Sequence, residues 1–336
     1  MFNTVYLTDE PGYRRDVEEF LRQWQSEDDF IIAHTSGSTG KPKEIRLRKQ
    51  DMRVSARATN RRFCICQSSR LLCPLSASYI AGKMMIVRAI EANCEVAFCR
   101  PSNSFLQSPA VASYVAEGID LLPIVPSQSP TLLESLSSTP GAVRNVIIGG
   151  AAIPTETETT LLEAKPEGTG IFATYGMTET CSHVALRPLG TEHFTAMPVV
   201  SFILDERGCL RIVAPEYSFR ELQTNDIASL VNPGSFIWRG RFDNVINSGG
   251  IKIFPEELEK KLEGKLPCRF YIKGENDPKW GEAVTLVVEK GQWEESTTDD
   301  ELIEICRQHL SHYEIPKRIR HLEKFATTTS GKLKRS

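Results

Sequence analysis

"GIDLLPIVPSQSPTLLESLSSTPGAVRNVIIGG", residues 118–150, is the stretch that decides the fold. Its two ends, 118–125 and 143–150, are short apolar runs with β-branched residues, and a helical pattern fills 128–138 between them. Strand, helix, strand at this spacing is the repeat of a parallel sheet covered by helices. Working outward, the alternation continues. "CEVAFC" (94–99) reads as a strand, 108–117 as a helix, and "YIAGKMMIVRAIEA" (79–92) as a mostly buried helix. Residues 16–25 form an amphipathic helical pattern through Val17, Phe20, Leu21 and Trp24, and Phe30–Ala33 reads as a short buried strand. Downstream, "GIFATYG" (170–176) is a further strand leading into a polar turn.

After about residue 195 the pattern becomes strand, turn, strand, with Arg207-Gly208 at one turn. From Arg241 the chain reads as a separate unit, with helices over 255–264 and 299–310 and strands near 268–273 and 283–289. The expected fold is therefore α/β. A large N-terminal α/β domain over 1–240, with a parallel sheet and a small β subdomain, is followed by a small mobile α+β C-terminal domain over 241–336. The linker is placed at Arg239–Asn244.

Composition narrows the function classes. The chain has 336 residues, 40% apolar and 25% charged, with a formal net charge of −3. That balance argues against non-specific nucleic-acid binding. No apolar run is long enough to cross a bilayer, and the N-terminus lacks a signal-peptide pattern, so a cytoplasmic location without membrane insertion is expected. Nine scattered cysteines, with no C-x-x-C pair, read as structural thiols rather than a disulfide framework.

Four polar stretches carry chemistry. "TSGSTGKPK" spans Thr35, Ser36, Gly37, Ser38, Thr39, Gly40, Lys41, Pro42 and Lys43 just after a predicted strand. Glycines let backbone N–H groups close on an anion, and hydroxyls and lysines add donors. It is not a Walker A loop, because Pro42 follows Gly40-Lys41. "TYGMTET" (174–180) places an aromatic, a glycine, threonines and a carboxylate at a strand end, where Glu179 could hold Mg²⁺. "GRFDNVINSGGIKIFPEELE" (240–259) has Gly249-Gly250 at a tight turn ahead of a helix opened by Pro255. "TTTSGKLKR" (327–335) is a glycine-containing basic tail. Singly, each also reads as surface loop, cap, hairpin turn or solvated tail.

In this order the four stretches closely resemble the adenylate-forming superfamily of acyl- and aryl-CoA ligases, luciferases and adenylation domains, from about residue 30 to the C-terminus. The resemblance implies ATP, Mg²⁺ and coenzyme A as co-substrates of a small carboxylic acid. It implies that Thr35–Lys43 cradles the β- and γ-phosphates, and that Gly149, Gly150 and Ala151 line the adenine and acyl pocket. Tyr175 and Gly176 would flank adenine, Thr178 would meet the α-phosphate, and Glu179 would hold Mg²⁺. Asp226 would hold the ribose hydroxyls and Arg241 the ribose and phosphate side. Asn225 stands where the family usually has glycine. Asp243 would be the hinge, Lys332 would reach the carboxylate and α-phosphate during adenylation, and the Gly249-Gly250 turn would serve the thioester step.

Within the family, "YGMTETCSHVA", "LLPIVPSQSPTLL" and "CPLSASYIAGKMMIVRAI" resemble the branch that activates o-succinylbenzoate in menaquinone synthesis. Such a dianion calls for a cation in the acid pocket. Lys83 is the first candidate, with Arg88, Ser127, Ser182 and His183 beside it. A snorkelling side chain is the plainer alternative for Lys83. His183 reads as a polar pocket wall rather than a base. Few residues precede the phosphate loop, so the family's first N-terminal subdomain is expected to be reduced or absent. A partner subunit could then complete the channel wall, and the chain is compatible with a homo-oligomer. The alternatives are another aryl- or acyl-CoA ligase, an adenylation enzyme loading a carrier-protein thiol, and a degenerate nucleotide-binding scaffold.

Overall fold

The computed structural model describes residues 1–8, 10–34, 44–291, 297–326, 333 and 335. The chain divides into two compact units: Met1–Ser201 with Val213–Leu222, and Phe202–Ile212 with Gln223–Ser336.

The first unit opens with β1 (Asn3–Tyr6) and α1 (Pro11–Gln25). Pro11 starts the helix where no N–H partner is needed. Tyr13, Val17, Phe20 and Trp24 recur at helical spacing and are the residues α1 buries. β2 (Phe30–His34) and β3 (Glu44–Arg48) form a separate antiparallel pair, with His34 opposite Glu44. The predicted strand near residue 30 therefore exists but belongs to this pair, not to the parallel sheet. α2 (Lys49–Arg62) follows directly.

Next come β4 (Arg70–Cys73), α3 (Ile80–Ala92) and β5 (Glu95–Phe98). β1, β5 and β4 make a three-stranded parallel sheet in that order. α3 ends where Asn93 turns left-handed at φ 53°. At its other end, a Cβ on Gly82 would lie 2.3 Å from the Ser76 carbonyl oxygen, so only glycine lets the helix sit so close to the 76–77 backbone.

α4 (Pro109–Ala116), β6 (Leu122–Ile124), α5 (Ser129–Ser138), β7 (Asn145–Ile148), α6 (Thr155–Ala164) and β8 (Gly170–Gly176) complete the expected alternation. β6, β7 and β8 pair in parallel. The chain then doubles back. β9 (His183–Pro188) is antiparallel to β8, and β10 (Phe194–Ala196) is antiparallel to β9.

The second unit holds β11 (Ser201–Leu204), β12 (Cys209–Ala214), β13 (Arg220–Asn232) and β14 (Ser235–Arg241), neighbours in that order and shared in part with the first unit's segment 213–222. β15 (Ile246–Ser248), β16 (Ile251–Ile253), α7 (Pro255–Leu262), β17 (Phe270–Asp277), β18 (Gly281–Glu289), α8 (Asp299–His309) and β19 (Arg318–Leu322) follow. Leu258 and Leu262 of α7 and Leu302 and Cys306 of α8 close over Ile272, Val284, Leu286 and Val288. All nine cysteines are free, six of them buried, as expected for structural thiols.

Candidate functional site

The turn after β8 is built by its own side chains. The Thr180 hydroxyl donates to the Ser182 carbonyl (2.7 Å) and accepts the Met177 N–H (3.0 Å), which closes Thr178–Thr180 into a single 3-10 turn. Thr180 is thereby buried while Glu179 stays exposed. β9 returns with His183 opposite Gly176, and a Cβ at Gly176 would lie 2.3 Å from the Ser182 oxygen. Glycine is required there by contact. On the neighbouring strand, a Cβ at Gly149 would lie 2.4 Å from the Thr174 hydroxyl, and Gly150 has φ 88°. Gly149-Gly150-Ala151 thus leaves β7 beside the β8 strand carrying Tyr175, whose ring centroid is 5.9 Å from that of Phe194. The expected nucleotide-side residues Gly149 to Glu179 are brought to the ends of adjacent strands.

Behind this turn lies a buried polar cluster. Arg88 on α3 is 2% exposed, and its Nη2 donates to Ser182 Oγ at 2.6 Å. Nη1 reaches only the Met85 sulfur (3.3 Å), and Nε is buried with no hydrogen-bond partner among the described residues. No carboxylate among the described residues pairs with this guanidinium. Burial pulls its pKa down, to about 10, so it remains charged at neutral pH. His183 lies 3.4 Å from Ser182 Oγ through Nδ1 and 3.3 Å from Thr59 Oγ1 through Nε2. Thr59 donates to the Ser55 carbonyl at 3.1 Å. The donors fix the tautomer. Arg88 donates to Ser182, Ser182 to Nδ1, Nε2–H to Thr59, and Thr59 to Ser55. Burial first, and the Arg88 charge second, hold the His183 pKa well below its ordinary value, so the ring is neutral.

Two other candidates for the acid pocket make different contacts. Lys83 lines a small cleft of about 90 Å³ with Asp16, Glu19 and Phe20, and donates to the Ile32 carbonyl at 3.4 Å. Burial lowers its pKa, and Asp16 and Glu19 partly offset this. Ser127 is exposed and donates to Asn103 Oδ1 at 3.0 Å.

In the second unit, the β13–β14 ladder sets Asp226 opposite Arg241. Trp238 Nε1 donates to Asp226 Oδ1 (3.3 Å), and Arg241 Nη1 lies 3.7 Å from the same oxygen. Arg241 also pairs with Asp243 at 3.1 Å, and Asn225 Nδ2 donates to Asp243 at 3.3 Å. The departure at Asn225 thus places a donor on the candidate hinge. Gly249 (φ 60°) and Gly250 (φ 83°) form the two-residue turn of the β15–β16 hairpin, which then leads into α7. The Gly249 N–H donates to the Trp280 carbonyl at 2.8 Å.

Thr35–Lys43 and Lys332 lie outside the described residues. No group of three or more His, Cys, Asp or Glu that could hold a metal alone occurs among the described residues. A single exposed carboxylate at Glu179 still fits Mg²⁺, which is commonly held by one or two carboxylates together with substrate phosphates. Sequence reasoning missed Thr59. Its helix, "KQDMRVSARATNRR", buries polar Asp51, Ser55, Thr59 and Asn60 among apolar Met52, Val54, Ala56 and Ala58, so burial does not follow an apolar stripe.

The family described as AMP-binding enzyme matches residues 5–207, and that described as AMP-binding enzyme C-terminal domain matches 271–332. The chain is 25% identical over 367 aligned positions to the 2-succinylbenzoate–CoA ligase of Bacillus subtilis, covering 96% of this chain and 73% of that one. It is 31% identical to the solved acyl-CoA synthetase (AMP-forming)/AMP-acid ligase II-like protein from Dyadobacter fermentans, with a TM-score of 0.64, covering 98% of this chain and 93% of that one. The fold also matches the Bacillus subtilis o-succinylbenzoate coenzyme A synthetase solved with ATP and magnesium ion, with a TM-score of 0.77, 22% identity, and coverage of 90% and 68%.

Proposed function

The chain belongs to the AMP-binding enzyme family, and we propose that it is an AMP-forming acid–CoA ligase whose acid is o-succinylbenzoate. The observation that carries the choice of acid is Arg88: a fully buried guanidinium with no acidic partner among the described residues, hydrogen-bonded to Ser182 beside a neutral His183. A charge left so exposed to desolvation is stable only if something anionic completes it. A dicarboxylate offers one carboxylate for chemistry and a second for Arg88. Lys83 is the weaker candidate for this role, because Asp16 and Glu19 line its cleft.

The reaction runs in two steps. An oxygen of the substrate carboxylate attacks the α-phosphorus of ATP, the bond to pyrophosphate breaks, and an acyl-adenylate forms. The sulfur of coenzyme A then attacks the acyl carbon and AMP leaves. Thr35–Lys43 would take the β- and γ-phosphates and Thr178 the α-phosphate, with adenine held by Tyr175 and Gly176 along Gly149-Gly150-Ala151. Glu179 would hold Mg²⁺, which would neutralise phosphate charge. Asp226 and Arg241 would engage the ribose side, Asp243 would act as hinge between 1–240 and 241–336, and Lys332 would bridge the two reacting anions. Aimed donors of this kind typically contribute about 10²–10³ in rate each. The Gly249-Gly250 turn, with no side chains, would serve the thiol step. The reading puts the enzyme in the cytoplasm with its nucleotide and thiol co-substrates.

Acid-dependent pyrophosphate release, measured with o-succinylbenzoate, benzoate, acetate and a fatty acid, tests this. Release is expected with o-succinylbenzoate well ahead of the three monoacids. Preference for a monoacid would reject the dianion reading, and silence with all four would reject the activity.

A further inference from the structure

A largely buried ion pair in the first unit joins the two segments that carry the candidate adenine residues. Glu158 lies in the first turn of α6, the helix into which Gly149-Gly150-Ala151 leads. Arg187 lies on β9, opposite Ala173 of β8. The two side chains make a fork: Nη1 to Oε1 at 2.7 Å and Nη2 to Oε2 at 2.8 Å. Nη1 also donates to the Thr191 carbonyl at 2.7 Å, and the Gly190 N–H donates to Glu158 Oε1 at 2.8 Å. Arg187 is 16% exposed and Glu158 18%. An exposed pair would contribute little. This one is forked, mostly out of water and shared with two backbone groups of the β9–β10 turn, so it fixes geometry.

The fork bears on an aromatic corner. In the β8–β9–β10 ladder, Tyr175 stands opposite Ala185, and Leu186 opposite Thr195. Side chains alternate along a strand, so Tyr175, Arg187 and Phe194 share one face of the sheet. The Arg187 guanidinium carbon is 5.8 Å from the Phe194 ring centroid, within cation–π range. Phe194 meets Tyr175 at 5.9 Å with the rings inclined by 58°. Both aromatic residues are half-buried, so the corner keeps accessible surface. Glu158 thus holds Arg187, Arg187 bears on Phe194, and Phe194 sets the tilt of Tyr175.

We propose that Glu158, Arg187 and Phe194 are positioning residues for the nucleotide base: the fork holds α6, and with it the Gly149–Ala151 segment, at a set distance from the Tyr175–Phe194 corner, and so gauges the slot that the base enters. This rests on the reading of Tyr175 and Gly149-Gly150-Ala151 as the adenine side. His183 of the acid side lies on β9 too, four residues before Arg187. A displaced strand would therefore harm acid and nucleotide alike, whereas a misgauged slot harms the nucleotide first.

The test compares recognition of the base with recognition of the acid in the full chain. Calorimetry gives the Kd of AMP, which needs no acid, so a wrong choice of acid leaves that measurement intact. Acid-dependent pyrophosphate release gives KM for ATP and for o-succinylbenzoate, and the preference for ATP over GTP. Phe194→Leu keeps the fork and removes the ring. It should raise the Kd of AMP and the KM for ATP by about 5-fold, the worth of one aromatic contact, with kcat and the KM for the acid little changed. The double variant Glu158→Gln with Arg187→Met leaves no uncompensated buried charge and should give the same pattern. Arg187→Lys keeps the charge without the fork and should fall between the parent and the double variant. The preference for ATP over GTP should narrow in all three. Equal rises in both KM values, or an unchanged KM for ATP, would make the fork merely structural and overturn the proposal. Tyr175→Ala is the control on the premise. Unchanged AMP affinity in that variant would remove the adenine reading and the role of the fork with it. Weakened affinity there, alongside parent-like binding in Phe194→Leu and the double variant, would sink the positioning role alone.

Discussion

Two guanidinium groups, one fully buried and one about four-fifths buried, sit in opposite surroundings. Arg335, in the second unit, has both prongs on the Glu259 carboxylate and the Ile272 carbonyl beneath it. Arg88, in the first, has a hydroxyl, a sulfur and a bare Nε. The same group therefore means different things in the two places. A guanidinium that the fold completes is part of the scaffold. One that it leaves incomplete is, on the proposed function, a receptor whose counter-charge comes from the acid.

The largest test of the contrast is kinetic. Arg88→Met should lower kcat/KM for o-succinylbenzoate by about 10²–10³-fold, since losing one partner of a buried hydrogen-bonded charge pair costs about 2–5 kcal/mol. A benzoate-like monoacid should lose far less, and an equal fall would erase the distinction. Next comes stability without ligands, followed by calorimetry. Arg335→Met strands Glu259 and should cost toward the lower end of about 3–5 kcal/mol, with Glu259→Gln restoring most of it. Arg88→Met removes a charge that no carboxylate among the described residues balances, so the melting temperature should hold or rise. A shared fall in Tm would show that Arg88 too is scaffold.

The smallest test uses pH. His183 is neutral in the fold because burial and Arg88 depress its pKa, whereas in the unfolded chain it titrates near 6.5. The unfolded state therefore binds the extra proton as pH falls. This residue's contribution is complete above about pH 6.5 and is lost below it, by about 1.4 kcal/mol per pH unit until the folded pKa is reached. His183→Gln should lose correspondingly less stability between pH 7 and 5.5 in denaturant titrations. A change identical to that of the parent would mean that the imidazole is protonated in place.

What was legible in the sequence was what is local. The strand and helix runs from 79 to 176 are set by nearest-neighbour pattern, and the glycines at 149, 176 and 249–250 are needed by turns and close approaches within the same motif. The acid pocket was legible only as a set of candidates. Lys83 and Arg88 share one helix, and no pattern tells which of them meets Asp16 and Glu19 and which meets Ser182 across 94 positions of sequence. Thr59 was invisible, because its helix buries polar and apolar residues side by side and so has no clean apolar period. The pairing of Phe30–His34 with Glu44–Arg48 was missed for a related reason, since a short apolar strand looks the same in either kind of sheet. The Arg335–Glu259 pair joins positions 76 apart, so no local signal pointed to it.

Gly82 gives the pocket a datum. The helix that bears Arg88 butts against the 76–77 backbone at a point where no side chain fits, and Arg88 lies six residues further along, about 9 Å at 1.5 Å per residue. Its guanidinium is gauged from that stop as a blade is gauged from a fence. A methyl group added at the stop would force the helix and the 76–77 backbone apart and, on the proposed function, would move the charge relative to Ser182 and so alter the length of acid accepted.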